Sequence, residues 1–406
     1  MMHLIRFEFI KQFCKRSIFV IFVLFSMINL LKISSEYHEC SYLSDGNGER
    51  SWNTVYWQLY DEYNGEITLE KINSLLAVYK PLAEATADMT ASTVTDDPNT
   101  MTGNLYSDRN LLDKYYVQPM QYFYGYQAAA DKIAGKAREN ALLYEERGEE
   151  YEARKNVAIY RLYADRAISE YAYHEMYNYY LNYDFSTVLM LLLCLYGIVS
   201  TFVSEKETQM DMLLLTSVNG GKKTALAKII AVTVFVWLVC LWFSLLDYIG
   251  FAVSFRTFEG WSLPVYAIPN LAEAAVGINL LQYSLLSAVL KAVGAWTLGM
   301  LMLLLSTFWK NALIPFVLNL TVCMTMIISG ASVAYSSFPW VKVLNPYSLL
   351  TTRILLGKTE FLNIADYPVL TYQVAVLFAL IVGIVIALAI YFLSAENRHC
   401  CVRRAK

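Results

Sequence analysis

Charge is scarce in this chain, and so are the residues that usually announce an active site. Only 17% of its 406 residues are Asp, Glu, Lys or Arg while 57% are hydrophobic, which excludes a purely soluble globular protein. Of seven cysteines only Cys40 falls between residues 33 and 185, so no disulfide can form within that interval. The four histidines, His3, His38, His174 and His399, show no metal-ligand spacing with carboxylates or cysteines. Asp45, Asn47 and Glu49 resemble a calcium loop only crudely, because Arg50 stands where the loop requires Gly, and they read as a turn. No nucleophile–base constellation supports an enzyme. Around Gly220-Gly221-Lys222-Lys223 the phosphate-loop pattern fails, with Thr216 in place of the first Gly and Lys223 in place of the final Ser/Thr. The chain is therefore expected to hydrolyse no nucleotide, to hold no metal or cofactor of its own, and to bind no nucleic acid. The interval 33–185 also lacks an Asn-x-Ser/Thr sequon, which favours a bacterial source.

What is present is apolar sequence in long blocks. A bilayer core of about 30 Å needs about 20 apolar helical residues. Six windows approach or exceed that length: Ser17–Leu31, Phe185–Ser204, Ile229–Leu246, Ala292–Trp309, Asn311–Val341 and Tyr367–Ala395. Ser17–Leu31 follows a basic start, as a signal peptide does, but Lys32-Ile33-Ser34-Ser35 offers no small-x-small cleavage pattern, so it reads as a retained anchor. Lys291 interrupts the run 274–309 and lies about 27 Å from Trp309 along a helix. Leu280–Leu290 is accordingly expected as a separate outer interfacial or re-entrant helix. With the N-terminus inside, the short inner segments hold 13 basic residues and the two shorter outer loops hold 5, so both ends and the segment 205–223 are expected to face the cytoplasm.

The interval 33–184 is long enough for an independent core and is expected outside. Between Ile33 and Phe185 it carries 25 acidic and 13 basic residues. Leu69, Ile72, Leu75 and Leu76 predict a helix, the stretch Ala91–Asn104 a loop, and Asp108–Tyr180 a long helical hairpin broken near Gly148. Its second arm is expected to feed directly into span two. Twenty-two of the chain's 31 tyrosines fall here. They either pack helices or form an aromatic surface that grips a peptide or glycan, and packing is the preferred reading.

Met2, Ile5, Phe9 and Phe13, among Arg6, Lys11, Lys15 and Arg16, predict an amphipathic helix on the inner leaflet. Asn29, Asn319 and Thr321 are the clearest polar residues inside spans and either line a pathway or bond helix to helix. Asp247 and Lys291 read as markers of the outer interface. Between spans two and three lies a short insert, Glu205-Lys206-Glu207 followed by Met210, Leu213, Leu214 and Leu215, then Gly220-Gly221-Lys222-Lys223. Met210, Leu213 and Leu214 share one helical face, the leading carboxylates suit a helix N-terminus, and the glycines and lysines suit its end.

Phe202-Val203-Ser204-Glu205-Lys206-Glu207, Met212-Leu213-Leu214-Leu215-Thr216-Ser217, Asn219-Gly220-Gly221-Lys222-Lys223, Ala227-Lys228 and the outer Asn345-Pro346-Tyr347 together resemble the permease subunits of type-2 ATP-binding-cassette (ABC) exporters. The specific motifs occupy about 30 residues of the chain, and Lys222 stands where an arginine is commoner in that family. The large outer interval resembles that of Gram-positive relatives. The resemblance implies an all-α polytopic membrane protein with six transmembrane helices and a mainly helical extracellular domain between spans one and two. It implies a cytoplasmic amphipathic helix (1–16), span one (17–32), the extracellular domain (33–184), span two (185–204), an ATPase-coupling helix (205–223), spans three to six with outer re-entrant or interfacial segments (224–395), and a cytoplasmic tail (396–406). It further implies a bacterial plasma-membrane exporter of an antimicrobial peptide or lipid. Such a chain pairs with a separate ATPase subunit that binds ATP and Mg, and with a second permease, identical or homologous. A transmitter that moves its outer domain without cargo, and a membrane-anchored receptor or immunity protein, are the alternatives.

Overall fold

The computed structural model describes residues 1–39, 52–87, 100–210 and 221–404. Six helices among them are long and apolar enough to cross a membrane: Arg16–His38, Phe185–Glu207, Lys222–Ser254, Leu280–Ser306, Leu313–Gly330 (within the helix Leu313–Ala334) and Thr371–Ser394 (within Thr371–Arg404). This is the architecture of a mostly helical multi-pass membrane protein. Spans two and four lie at the centre, with 72% and 61% of their apolar windows buried, whereas spans one, five and six bury only 22%, 22% and 17%. Close approach at the centre needs a missing side chain: a Cβ on Gly197 of span two would stand 2.9 Å from the Phe235 ring of span three.

Several sequence boundaries are corrected. Lys291 does not interrupt a helix, since Leu280–Ser306 runs unbroken from an Asn279–Gln282 capping box. Leu280–Leu290 is thus the first part of span four, not a separate re-entrant piece. Span six begins at Thr371, because Tyr367–Leu370 instead pairs antiparallel with Phe361–Ile364. Ala365 and Asp366, both at positive φ, make the two-residue turn of this hairpin. Glu205, Lys206 and Glu207 belong to the last turn of span two, and Lys222 and Lys223 to the first turn of span three.

The interposed domain is built from helices Trp52–Tyr63, Leu69–Ala85, Leu105–Leu112, Gln118–Glu146 and Glu150–Tyr163. Thr68 caps the second, its hydroxyl accepting from the Lys71 amide. The predicted hairpin is present, with its turn at Gly148 (φ 73°) and with Ala130, Ala134, Ala137 and Ala141 buried along the first arm. A π-helical turn, Asp113–Val117, leads into that arm. Its cause is visible in the sequence: Pro119 has no N–H to offer the Tyr115 carbonyl, which accepts instead from the Tyr171 hydroxyl at 2.6 Å. The second arm does not feed directly into span two. It ends at Tyr163, and residues 164–184 intervene with a short strand, Glu170–Tyr171, paired to Gly65–Glu66, and a short helix, Glu175–Tyr180.

The tyrosines are core. Tyr56, Tyr115, Tyr116, Tyr171, Tyr173 and Tyr177 are among the largest fully buried side chains. The Tyr116 and Tyr171 hydroxyls donate to the backbone carbonyls of Tyr56 and Tyr115, and the Tyr177 hydroxyl bonds that of Tyr248. The Tyr60 hydroxyl donates to Glu259 at 2.8 Å, and burial pushes its pKa up to about 12. This core continues into the domain-side ends of the spans. Tyr122 and Tyr126 donate to the carbonyls of Tyr266 and Ala272, and buried Arg166 reaches the Ala274 carbonyl at 2.7 Å.

Candidate functional site

The insert grows out of a buried ionic joint. Its leading carboxylates sit at the C-terminal end of the span-two helix, where the helix dipole disfavours negative charge. Specific cations compensate Glu205. Lys11 of the N-terminal helix (Met2–Phe13) meets its Oε1 at 2.5 Å, and Lys228 of span three meets its Oε2 at 2.5 Å. Lys228 is fully buried; it also donates to the Thr201 carbonyl at 3.0 Å and lies 4.3 Å from the centre of the Phe202 ring. Gln12 donates to the same carbonyl at 3.3 Å. Three helices therefore meet on one carboxylate.

Two further bonds extend the joint to the turn between spans four and five. Lys206 donates to the Thr307 carbonyl, and Glu207 accepts from the Ala312 amide at 3.1 Å. The span-two helix ends at Glu207, and Gln209 two residues on, with a φ of 55°, takes the left-handed conformation that keeps it from continuing. Span three starts after Gly221 at φ 73°, with Lys222 lying 5.5 Å from the Tyr391 ring of span six. Met210 is exposed. Leu213, Leu214, Leu215 and Gly220 lie outside the described residues, as does the segment from Asp45 to Glu49.

The N-terminal helix is not apolar towards the protein and polar away from it. Glu8 and Gln12 point inward with Phe13, while Met2, Phe7 and Ile10 are exposed. Phe13 stacks on Phe235 at 4.0 Å, fixing the helix against span three. Burial raises the Glu8 carboxyl above its ordinary value, against the opposing pull of Lys228 and Lys11. Among the described residues its Oε2, the Gln12 Oε1 and the Thr201 hydroxyl have no hydrogen-bond partner.

The candidate pathway residues are placed apart. Asn29 is buried and donates to Asp247 Oδ1 at 2.7 Å while accepting from the Tyr183 hydroxyl at 2.8 Å. Asn319 donates to the Met302 carbonyl at 3.5 Å, and Thr321 is exposed with its hydroxyl on the Val317 carbonyl. Each makes a helix-to-helix or within-helix bond, and the three share no partner. Asp247 is more than an interface marker: it is buried and also accepts from Ser186 at 2.5 Å, so it pins span three to spans one and two. Sequence reasoning passed over Glu8, Gln12 and the pairing of Lys11 with Glu205 because the partners stand 194 positions apart. The only signal available was a carboxylate at the end of an apolar run. No protein-family model matches the chain, and no curated protein matches it either.

Proposed function

We propose that this chain is the permease subunit of a bacterial plasma-membrane ABC exporter, driven by a separate ATPase that docks on the insert between spans two and three. Both termini and the insert lie in the cytoplasm in this reading, and the interposed domain lies outside. Two permeases and two ATPases make the working complex, and the cargo is a hydrophobic or amphipathic molecule such as an antimicrobial peptide or lipid. The observation that carries the reading is the joint on Glu205. A soluble partner pressing on the insert would push on the last turn of span two, and through Glu205, Lys206 and Glu207 on the N-terminal helix, span three and the turn before span five.

A second reading is favoured by the continuity of the domain core with the spans. Arg166, Tyr122 and Tyr126 bond to the segment after span three, and Arg353 pairs with Asp184 at 2.5 Å just before span two. Span movement would therefore carry the domain with it, making the chain a mechanical transmitter without cargo.

Affinity purification from native membranes tests the shared premise. An ATP-binding subunit is expected to co-purify with the wild type and to be lost with Leu214→Asp at equal membrane abundance. Recovery of the chain without any ATP-binding protein overturns both readings. ATP-dependent accumulation of labelled peptide or lipid in reconstituted vesicles then supports export, and its absence alongside ATP-dependent movement of the domain supports the transmitter.

A further inference from the structure

The N-terminal helix and the start of span one enclose two apolar grooves that share one wall. The larger, about 730 Å³, is lined by Phe13, Ile18, Phe22, Leu193, Phe235 and Trp242, among others. The smaller, about 520 Å³, lies between spans one, two and five and is lined by Tyr196, Val199, Leu313 and Phe316. Lys15 and Ile18 line both, and Arg16 lines the larger. The chain is extended at Lys15 (ψ 143°), where the N-terminal helix has ended and span one has yet to begin. Lys15 and Arg16 thus stand at the level where an apolar span meets the headgroups. Among the described residues neither has an ion-pair partner, unlike Lys11 four residues before Lys15.

We infer that this corner is a binding site for one anionic glycerophospholipid of the leaflet on the insert side, with its phosphate on Lys15 and Arg16 and its two acyl chains in the two grooves. The charge decides the class. Two unpaired cations above apolar walls match a headgroup of net negative charge, and an anionic surface gains about 1 kcal/mol for each nearby Lys or Arg. The geometry decides the form: a single cation-bearing corner between two grooves fits a headgroup carrying two chains. Phe19, Val20 and Leu238, exposed along the larger groove, leave it open to the bilayer from which the lipid enters. A lipid seated there would lean against Phe13 and Phe235, the ring pair that fixes the N-terminal helix. The site depends on membrane embedding alone, not on any ATP-binding partner.

Native mass spectrometry of the full-length chain in detergent, titrated with phosphatidylglycerol or phosphatidylcholine of equal chain length, tests the site. One phosphatidylglycerol is expected to bind roughly 30-fold more tightly than phosphatidylcholine, the combined effect of two basic residues. Lys15→Gln/Arg16→Gln should abolish that preference while leaving the lipid-free melting temperature unchanged, since neither side chain is buried. Leu238→Trp, which narrows the larger groove, should weaken both lipids and leave the preference. Equal binding of the two lipids by the wild type, or an intact preference in the double variant, overturns the proposal. The former would mark the grooves as ordinary lipid-facing surface.

Discussion

The two ends of spans two and three are fastened by different chemistry. On the insert side Glu205 is held by two ammonium groups from two other helices. On the domain side Asp247 is held by neutral donors, the Asn29 amide and the Ser186 hydroxyl, while the tyrosine core beyond it is held by hydroxyl-to-backbone bonds. Removing one member of a buried ion pair strands the other charge, whereas the donors on Asp247 are neutral and losing one leaves no stranded cation. The ionic end is therefore the all-or-none element and the neutral end the graded one. That is the division expected if force enters at the insert and is distributed at the domain.

The contrast can be broken most severely at Glu205. Glu205→Gln leaves Lys228 buried beside a neutral amide and should cost about 3–5 kcal/mol, read as a fall in the melting temperature of the detergent-purified chain. Adding Lys228→Met should restore much of the loss, because the stranded charge is then gone. Next comes the domain core. Tyr171→Phe removes the donor that replaces the missing Pro119 amide at the Tyr115 carbonyl, and a cost of about 1–3 kcal/mol is expected in chemical denaturation.

Asp247→Asn should be milder, below about 1 kcal/mol, since an amide can still accept from Asn29 and bond Ser186. A cost as large as that of Glu205→Gln would erase the distinction between the two ends. The smallest effect has the opposite sign. The folded-state pKa of Glu8 is raised above its ordinary 4.5 by burial, so it contributes stability while protonated and loses that contribution as pH rises through the raised value. Glu8→Gln should therefore raise the melting temperature at neutral pH, with the gain vanishing below pH 4.5. Lys11, Lys228 and Glu205 are the charged groups facing it. A lower melting temperature for Glu8→Gln at neutral pH would show that its pairing with the lysines outweighs burial.

The spans were legible because an apolar run of span length has few other places to go. The domain hairpin was legible from Gly148 and the near absence of proline. Other features were hidden for physical reasons. Glu205 reads as the first residue of a polar insert because sequence shows its charge but not Lys11 and Lys228, whose pairing lets the helix continue through it. Lys291 reads as a break, yet the helix Leu280–Ser306 runs through it, because a lysine is a good helix former and its charge alone does not end a helix. Tyr367–Leu370 is as apolar as the span it precedes, and only the two positive-φ residues at Ala365 and Asp366 reveal the hairpin. The tyrosines were read by composition, and their burial followed from partners on distant segments such as Tyr266 and Ala272.

Hydrogen–deuterium exchange across Met2–Phe13 addresses the central claim, that one carboxylate ties the N-terminal helix to the root of the insert. In the wild type these amides should be protected, and in Glu205→Gln their exchange should accelerate by at least about tenfold, with the amides of span four unchanged. Protection of the N-terminal helix that is identical in the two proteins would contradict the claim.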